Sequence, residues 1–445
     1  MTSAGRALVV GLGQAGEAAA RQLARRGWDV VVAEDRPGPA SRDRAGGLAA
    51  SGVDVVEAPD DGALDALVDG ADLVVPSPGV PRRHRATARA LARGTTVWTE
   101  FELAARWSSV PLVAVTGTNG KTTVTTLVAE MLEAGGRRTV LAGNNDLPLV
   151  DAIDLEGLDV VVVEASSFRL EFTETFAPRV GTWLNLAPDH LDWHGDMASY
   201  AAAKARLWAN AGSHDVAVAN AEDPVVLGAA RASRARVVTF GLAGGDWHVA
   251  GEELVGPDGP VLAVGELARD LPHDRANALA AAATADAAGA APDAVAAVLR
   301  SFRGLPHRIT PVGEHGGVRW LDDSKATDPH AAVTAVRGFD SVVLVAGGRN
   351  KGLDLSVLAG EAGRLRAVVA IGEAAPEVAA AFAGSAVPVS VATSMDDAVA
   401  RARAAARPGD VVLLSPGCAS YDWYGGYGER GDDFARAVAE ELART

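Results

Sequence analysis

The sequence predicts an α/β protein of three domains, each a mainly parallel sheet flanked by helices (a Rossmann-like domain, a P-loop domain and a second Rossmann-like domain). Three observations lead there. Short apolar runs recur along the chain ("ALVV", "DVVVAED", "VPLVAV", "LDVVVVE", "SVVLVAGG", "DVVLLS"), as strands buried on both faces require. Stretches with helical spacing lie between them. Nearly every run ends in a turn rich in glycine, serine or proline, where open α/β sheets hold their ligands. A chain of 445 residues is too long for one ordinary domain. Boundaries are expected at 1–105, 106–305 and 306–445.

Composition narrows the function. Apolar residues make up 48%, enough for a core in each domain, and the formal net charge is −16. That charge argues against nucleic acid or a membrane surface as partner, so anionic ligands must find local positive sites. The single cysteine, Cys418, allows no internal disulfide and fits a reducing compartment. The first apolar run is too short for a signal peptide, and no uncharged stretch reaches membrane length. A soluble cytoplasmic protein is expected, and a monomer, because no long apolar seam stands out.

The first block runs strand, "GLGQAG", helix to about Arg26, strand. Gly11, Gly13 and Gly16 have the GxGxxG spacing of a nucleotide-binding turn, and Glu34 and Asp35 end the next strand, where a dinucleotide enzyme keeps its ribose acid. An NAD- or FAD-dependent oxidoreductase is therefore one reading. Any nucleotide diphosphate could use the same turn, and a bare strand–helix turn remains possible. A further strand, "ADLVVPSPGV", breaks at Ser77-Pro78-Gly79.

The second block opens on a strand, then "TGTNGKTT", then a helix from about Lys121 to Ala134. Backbone N–H groups of Gly117, Thr118, Asn119, Gly120 and Thr123 can cradle phosphates at a helix N-terminus. The Lys121 amine reaches outer phosphates and the Thr122 hydroxyl suits Mg²⁺. Val115 stands at the first glycine position of the usual pattern, so the match is the shorter GxxGKT. A P-loop switch ATPase without a small-molecule acceptor would share it. The chain holds four lysines against 37 arginines. Lysine is a compact amine where arginine is planar and bulky, so Lys121, Lys204, Lys325 and Lys351 mark sites that call for an amine. Lys204, on the helical "SYAAAKARLW", would ordinarily be a surface residue. Glu164 ends a strand beside the phosphate loop, where a metal- or water-binding carboxylate would stand. "NLAPDHLDWHG" places His190 after another strand, with Asp189, Asp192 and His194 nearby; a hydrogen-bonded structural histidine is the other reading. His273, His307 and His330 gain no such support except through the motifs that contain them. In the third block, "DDSKATD", "GGRNKGLD" and "LSPGCASYD" follow strands.

Taken in order, "TGTNGKTT", "VEASSFRLE", "NLAPDHLDWHG", "YAAAKARL", "NALAA", "GLPHR", "DDSKATD" and "LSPGCASYD" run from residue 116 to residue 422. This set resembles the Mur ligases of peptidoglycan synthesis. The resemblance implies an ATP-dependent amide ligase that adds glutamate, D-glutamate expected, to UDP-N-acetylmuramoyl-L-alanine through an acyl phosphate. Use of L-glutamate in the same reaction is the alternative. The resemblance also assigns roles. Gly13, Gln14, Ala15, Arg36, Ser77 and Gly79 match the UDP-sugar region, and Asn144 the region near the muramoyl-alanine. The glycines would then grip UDP rather than NAD. The loop residues Gly117 to Thr123, with Asn277, Arg308 and Asp323, match the ATP site. Thr122 and Glu164 would hold one Mg²⁺, and His190 and a carbamylated Lys204 a second, the carbamate coming from CO₂. Lys121, His190 and Lys204 are the implied catalytic residues. Lys325, Thr327, Lys351, Ser420 and Tyr427 match positions around glutamate. Four acids depart from the family pattern: Asp35, Asp146, Asp274 and Asp328. So does the aromatic stretch Tyr421–Tyr427, with Trp423. An acid at 328 would need offsetting donors near an acidic substrate.

Overall fold

The computed structural model describes residues 4–444. The first sheet is parallel, ordered β3-β2-β1-β4-β5, from β1 (Arg6–Val10), β2 (Asp29–Glu34), β3 (Asp54–Glu57), β4 (Leu73–Pro76) and β5 (Thr96–Val97). The second, also parallel, is ordered β11-β10-β9-β6-β8-β7. Its strands are β6 (Leu112–Thr116), β7 (Thr139–Gly143), β8 (Val160–Glu164), β9 (Val180–Trp183), β10 (Val216–Asn220) and β11 (Arg236–Phe240). A small antiparallel sheet follows, β12 (His248–Ala250), β13 (Glu253–Gly256) and β14 (Gly259–Ala263). Its strands are short and carry no long apolar run, so the apolar pattern misses them. The last sheet is ordered β15-β16-β20-β17-β18-β19. It comprises β15 (Thr310–His315), β16 (Val318–Asp322), β17 (Val342–Gly347), β18 (Leu365–Ile371), β19 (Val389–Val391) and β20 (Val411–Leu414), with only the β15–β16 pair antiparallel.

The chain packs as two compact units. The first runs to Leu186 and takes in Trp193–Leu267 and Ala276–Ser301; the second comprises Ala187–Asp192, Ala268–Arg275 and the chain from Phe302 onward. The first two sheets share one unit because their cores are continuous. Val9, Leu23 and Val32 of the first sheet's layer, and Val161 and Trp183 of the second's, belong to one buried cluster, bridged by Phe101 and Leu103 of the helix Glu100–Trp107. In the second unit, apolar clusters cover both faces of the sheet, with Val342 and Leu344 on one and Val343 and Val345 on the other. That two-sided burial is why these strands read as unbroken apolar runs. Among the described residues no helix is long and apolar enough to cross a membrane.

Candidate active site

The first two sheets each have a point where the chain reverses its direction of growth, and the two glycine-rich turns leave the sheets there. In the first sheet β1 lies between β2 and β4. Gly11 leaves β1 with φ +88°, and Ser77, after β4, donates its Oγ–H to the Gly11 carbonyl at 2.6 Å. A Cβ on Gly16 would sit 2.1 Å from that same oxygen, so the third glycine is needed for the helix to approach the strand. Gly13 and Gly79 border open space. The Glu34 carboxylate accepts the N–H groups of Leu12 at 2.6 Å and Arg36 at 2.9 Å. The acid that a dinucleotide enzyme would offer a ribose is thus bound to the turn's own backbone. Asp35 pairs with His84 at 2.7 Å.

The second sheet presents the phosphate loop between β8 and β9. Gly117 (φ +157°) and Gly120 (φ +88°) occupy backbone regions that side chains avoid. A Cβ on Gly120 would lie 2.7 Å from Asn277 Oδ1, which puts Asn277 against the loop. Asn185, just after β9, accepts the N–H groups of Thr118 at 3.0 Å and Asn119 at 2.9 Å through its side-chain oxygen. Lys121 folds back on the loop, donating to the carbonyls of Gly117 at 3.0 Å and Thr118 at 2.7 Å. Lys204 is not a surface residue. It is 1% exposed and donates to the same Gly117 carbonyl at 2.7 Å, with its amine 4.6 Å from the Tyr200 ring centre. Two of the four lysines therefore share one acceptor. Glu164 is buried at the end of β8 and accepts Asn144 Nδ2 at 3.0 Å, while Asn144 N–H bonds the Glu164 carbonyl at 2.8 Å. Glu164 pairs in register with Gly143, and Asn144 is the residue that follows β7.

The second unit holds the remaining predicted residues. Among the described residues four non-glycines have positive φ, and three of them lie here: His190, His307 and Ile309. Such conformations cost energy and concentrate at functional sites. His190 is paired with Asp189 at 3.1 Å. His307 Nδ1 is 2.6 Å from Asp322 Oδ2. Asp323 is buried at the end of β16; burial pushes its carboxyl up to about 7, against the Ser415 hydroxyl at 2.7 Å, the Arg308 charge and the Ile309 N–H. Lys325 lies 3.7 Å from the Tyr427 ring centre. Gly417 N–H bonds the Ala326 carbonyl, which brings the Thr327 stretch beside the β20 turn. An Arg349–Ala419 bridge sets the Lys351 and Ser420 stretches side by side.

Asp323 gives a pH prediction. Its folded pKa is raised, so its contribution to stability is whole below the unfolded value and is lost as pH rises through about 7. Relative to Asp323→Asn, the wild-type protein should lose thermal stability between pH 5 and 8. A melting-temperature gap that stays flat over that range would refute the assignment.

Two of the acids that depart from the family pattern have local work. Asp328 has a role within the fold. It caps the helix Pro329–Val336, accepting Ala331 N–H at 2.9 Å, with proline in the first turn. Asparagine caps as well as aspartate, so Asp328→Asn should shift thermal stability by less than about 1 kcal/mol in a melting experiment and leave turnover within about twofold. Asp274 pairs with Arg269 at 3.1 Å in the first turn of the helix Pro272–Ala287.

Sequence reasoning missed several residues. Asn185 carried a signal, an asparagine directly after a buried strand in the phosphate-loop block. Arg430 lies just past the Tyr421–Tyr427 stretch, in "ERGDDF", and the sequence assigns it no role. It is 1% exposed and donates to Ser324 Oγ (2.9 Å), Ser324 O (2.8 Å) and Cys418 O (3.1 Å), and Ser324 Oγ in turn donates to Tyr427 O (2.8 Å). Burial lowers its pKa to about 10. Cys418 is pushed up to about 12 by burial and is an inert thiol.

The descriptions "Mur ligase MurD-like, N-terminal domain", "Mur ligase middle domain" and "Mur ligase, glutamate ligase domain" match residues 5–99, 115–266 and 307–418. The UDP-N-acetylmuramoylalanine–D-glutamate ligase of Frankia casuarinae is 46% identical, covering 97% of this chain and 93% of that protein. The chain belongs to the Mur ligase family. The enzyme of the same name from Pelotomaculum thermopropionicum is 41% identical over 97% of this chain and 96% of its own length. Among solved structures, the Mur ligase fold recurs in the UDP-N-acetylmuramate-alanine ligase MurC of Thermotoga maritima (TM-score 0.60, 19% identity, 99% of both chains). It recurs also in MurF from Thermotoga maritima in complex with ADP (TM-score 0.61, 18% identity, 93% of this chain and 95% of that one). Membership of an ATP-dependent ligase family replaces the oxidoreductase reading of the GxGxxG turn. The physical reason is already in the turn, where Glu34 is committed to Leu12 and Arg36.

Proposed function

We propose that this chain is the Mur ligase that adds D-glutamate to UDP-N-acetylmuramoyl-L-alanine, working in the cytoplasm as a monomer. The observation that carries the reading is the convergence of Lys121 and Lys204 on the Gly117 carbonyl, in a chain that matches D-glutamate ligases over almost its full length. The division of labour follows three domains, 1–105 for the UDP-sugar, 106–305 for ATP and 306–445 for glutamate. Gly13, Gln14, Ala15, Arg36, Ser77 and Gly79 surround the UDP-sugar turn, with Asn144 toward the muramoyl-alanine. Gly117 to Thr123 and Asn277 hold the phosphate end of ATP in the first unit, and Arg308 and Asp323 are the second unit's matches to nucleotide-binding positions. Lys325, Thr327, Lys351, Ser420 and Tyr427 receive glutamate, two lysines offsetting its carboxylates.

In the reaction, the alanine carboxylate attacks the γ-phosphorus of ATP and ADP departs, leaving an acyl phosphate. The glutamate amine, having lost a proton, attacks the acyl carbon; phosphate leaves and a second proton is lost from nitrogen. Lys121 offsets charge on the transferring phosphoryl group. His190, with Asp189 against its ring, is the candidate to take a proton.

The residues suit Mg²⁺. A buried carboxylate, Glu164, and a loop hydroxyl, Thr122, are hard oxygen donors, and Mg²⁺ takes one or two carboxylates together with substrate phosphates. No cluster of three His, Cys, Asp or Glu side chains forms a protein-only metal site among the described residues. When bound, the cation would neutralise phosphate charge. Carbamylation also suits Lys204. Two ammonium groups on one carbonyl repel, and turning one into a carbamate reverses the sign of that interaction.

The test supplies ATP, Mg²⁺ and UDP-N-acetylmuramoyl-L-alanine, with D- or L-glutamate in separate reactions, and reads phosphate and product mass. Product with D-glutamate alone is expected. Product with L-glutamate alone would keep the reaction and move the stereochemical assignment to the Tyr421–Tyr427 stretch. Product with neither would sink the reading.

A further inference from the structure

We infer that Gln14 is a positioning residue that joins the nucleotide turn of the first sheet to the loop carrying Asn144, so that occupation of one is felt at the other. The inference rests on the proposed UDP-sugar site, and its experiment separates the two.

Gln14 is the first residue of the helix Gln14–Arg25, at the turn that would hold a diphosphate. Its side chain is exposed, yet it does not simply face solvent: Nε2 donates to the main-chain carbonyl of Asp146. Asp146 lies in the tight loop after β7. There Gly143 N–H bonds the Leu147 carbonyl at 2.8 Å and Leu147 N–H bonds Asn145 Oδ1 at 3.1 Å. The same loop delivers Asn144 to Glu164. The contact is reinforced further along the helix. Arg21 and Gln22 bind opposite oxygens of Asp151 at 2.6 and 2.9 Å, and Arg26 binds Asp154 at 2.8 Å. One face of the helix thus clasps residues 146–154 at three levels. The lower two levels are ion pairs far from the turn and set the packing. Among the described residues the hydrogen bond between the turn itself and the Asn144 loop is that of Gln14.

Physical consequences follow. A diphosphate bound on the turn orders the helix N-terminus and with it the Gln14 side chain. The Asp146 carbonyl, and so Asn144 beside Glu164, is then held in place. Coupling of this kind is reciprocal, and its size is set by the one hydrogen bond. Because the acceptor is main chain, the Asp146 side chain is not part of it.

Hydrogen exchange of the peptide covering residues 143–149 tests this, with and without UDP, in wild-type protein and in Gln14→Leu, which keeps the volume and lacks the donor. Without ligand, exchange in the loop should rise about threefold in Gln14→Leu and stay unchanged in Asp146→Asn. Saturating UDP should slow the loop in wild-type protein and leave it unslowed in Gln14→Leu. In turnover, Gln14→Leu should raise the KM for ATP about threefold at subsaturating sugar nucleotide while kcat changes less. Equal ligand-free exchange in the two proteins, or UDP protection that survives the substitution, overturns the inference. If UDP does not bind at all, the assignment of the first sheet falls instead, and the ligand-free comparison still decides the link.

Discussion

Replacing Lys204 with arginine is expected to lower kcat by about a hundredfold or more, the loss seen when a preorganised charge at a transferring group is removed. The substitution keeps a cation, so a role for charge alone would predict a mild effect. Two features of the site forbid that. The amine is 1% exposed and sits 2.7 Å from the Gly117 carbonyl, with the Tyr200 ring on one side, a slot cut for a compact group. A planar guanidinium would push the carbonyl, and the phosphate loop with it. Arginine also cannot take up CO₂. The two causes separate in one experiment. ¹³C NMR with labelled bicarbonate should show a carbamate resonance in wild-type protein and none in Lys204→Arg. A variant that retains near-normal turnover would remove Lys204 from the machinery. Loss of turnover with no carbamate signal in either protein would leave only the steric role.

The second large effect is structural. Gly431 lies on the helix Tyr427–Ala443, and a Cβ there would fall 2.2 Å from His307 Nδ1 and 2.6 Å from Asp322 Oδ2. Neither neighbour is the loose end of a flexible chain. His307 is held in the left-handed region, and Asp322 is engaged by Ser324 N–H at 2.8 Å. Gly431→Ala must therefore move the helix or break the His307–Asp322 pair. A cost of about 2–3 kcal/mol is expected from the overpacking, or about 5–10 °C in melting temperature. Because Tyr427 and Arg430 share that helix, the KM for glutamate should rise as well. Gly428, three residues earlier, is the control. A Cβ there meets only His307 Nε2 at 3.8 Å, so Gly428→Ala should melt within a few degrees of wild type. Equal melting of the two variants would refute the packing argument.

The residues themselves show which parts of the site sequence could reach. The phosphate loop was legible because its parts are local: a buried strand, two glycines at positive φ and a lysine opening a helix, all between Leu112 and Lys121. The helical span expected from Lys121 to Ala134 is the span observed. Asp328 was half legible. Its motif suggested a charge near substrate, but an aspartate directly before proline at a helix start is also a cap signature, and the cap is what forms. The contacts of Arg430 and Asn185 lay beyond sequence, although Asn185 stands at a signalled place directly after a buried strand. Arg430 reaches Ser324, 106 residues away, and Asn185 reaches the phosphate loop, 66 and 67 residues away.

By itself, the sequence determined that this is an α/β chain with a phosphate loop and a small set of amines in special places. Apolar period, glycine spacing and the scarcity of lysine are properties of short stretches, and short-range sterics act on them alone. Only the tertiary structure decided that Lys204 is buried and shares a carbonyl with Lys121, that Glu34 is bound to its own turn, and that the first two sheets share a core. Those outcomes depend on which helix face meets which strand end. That is settled by the packing of residues far apart in the chain, where burying one amine or freeing one carboxylate is decided by neighbours that sequence order does not bring together.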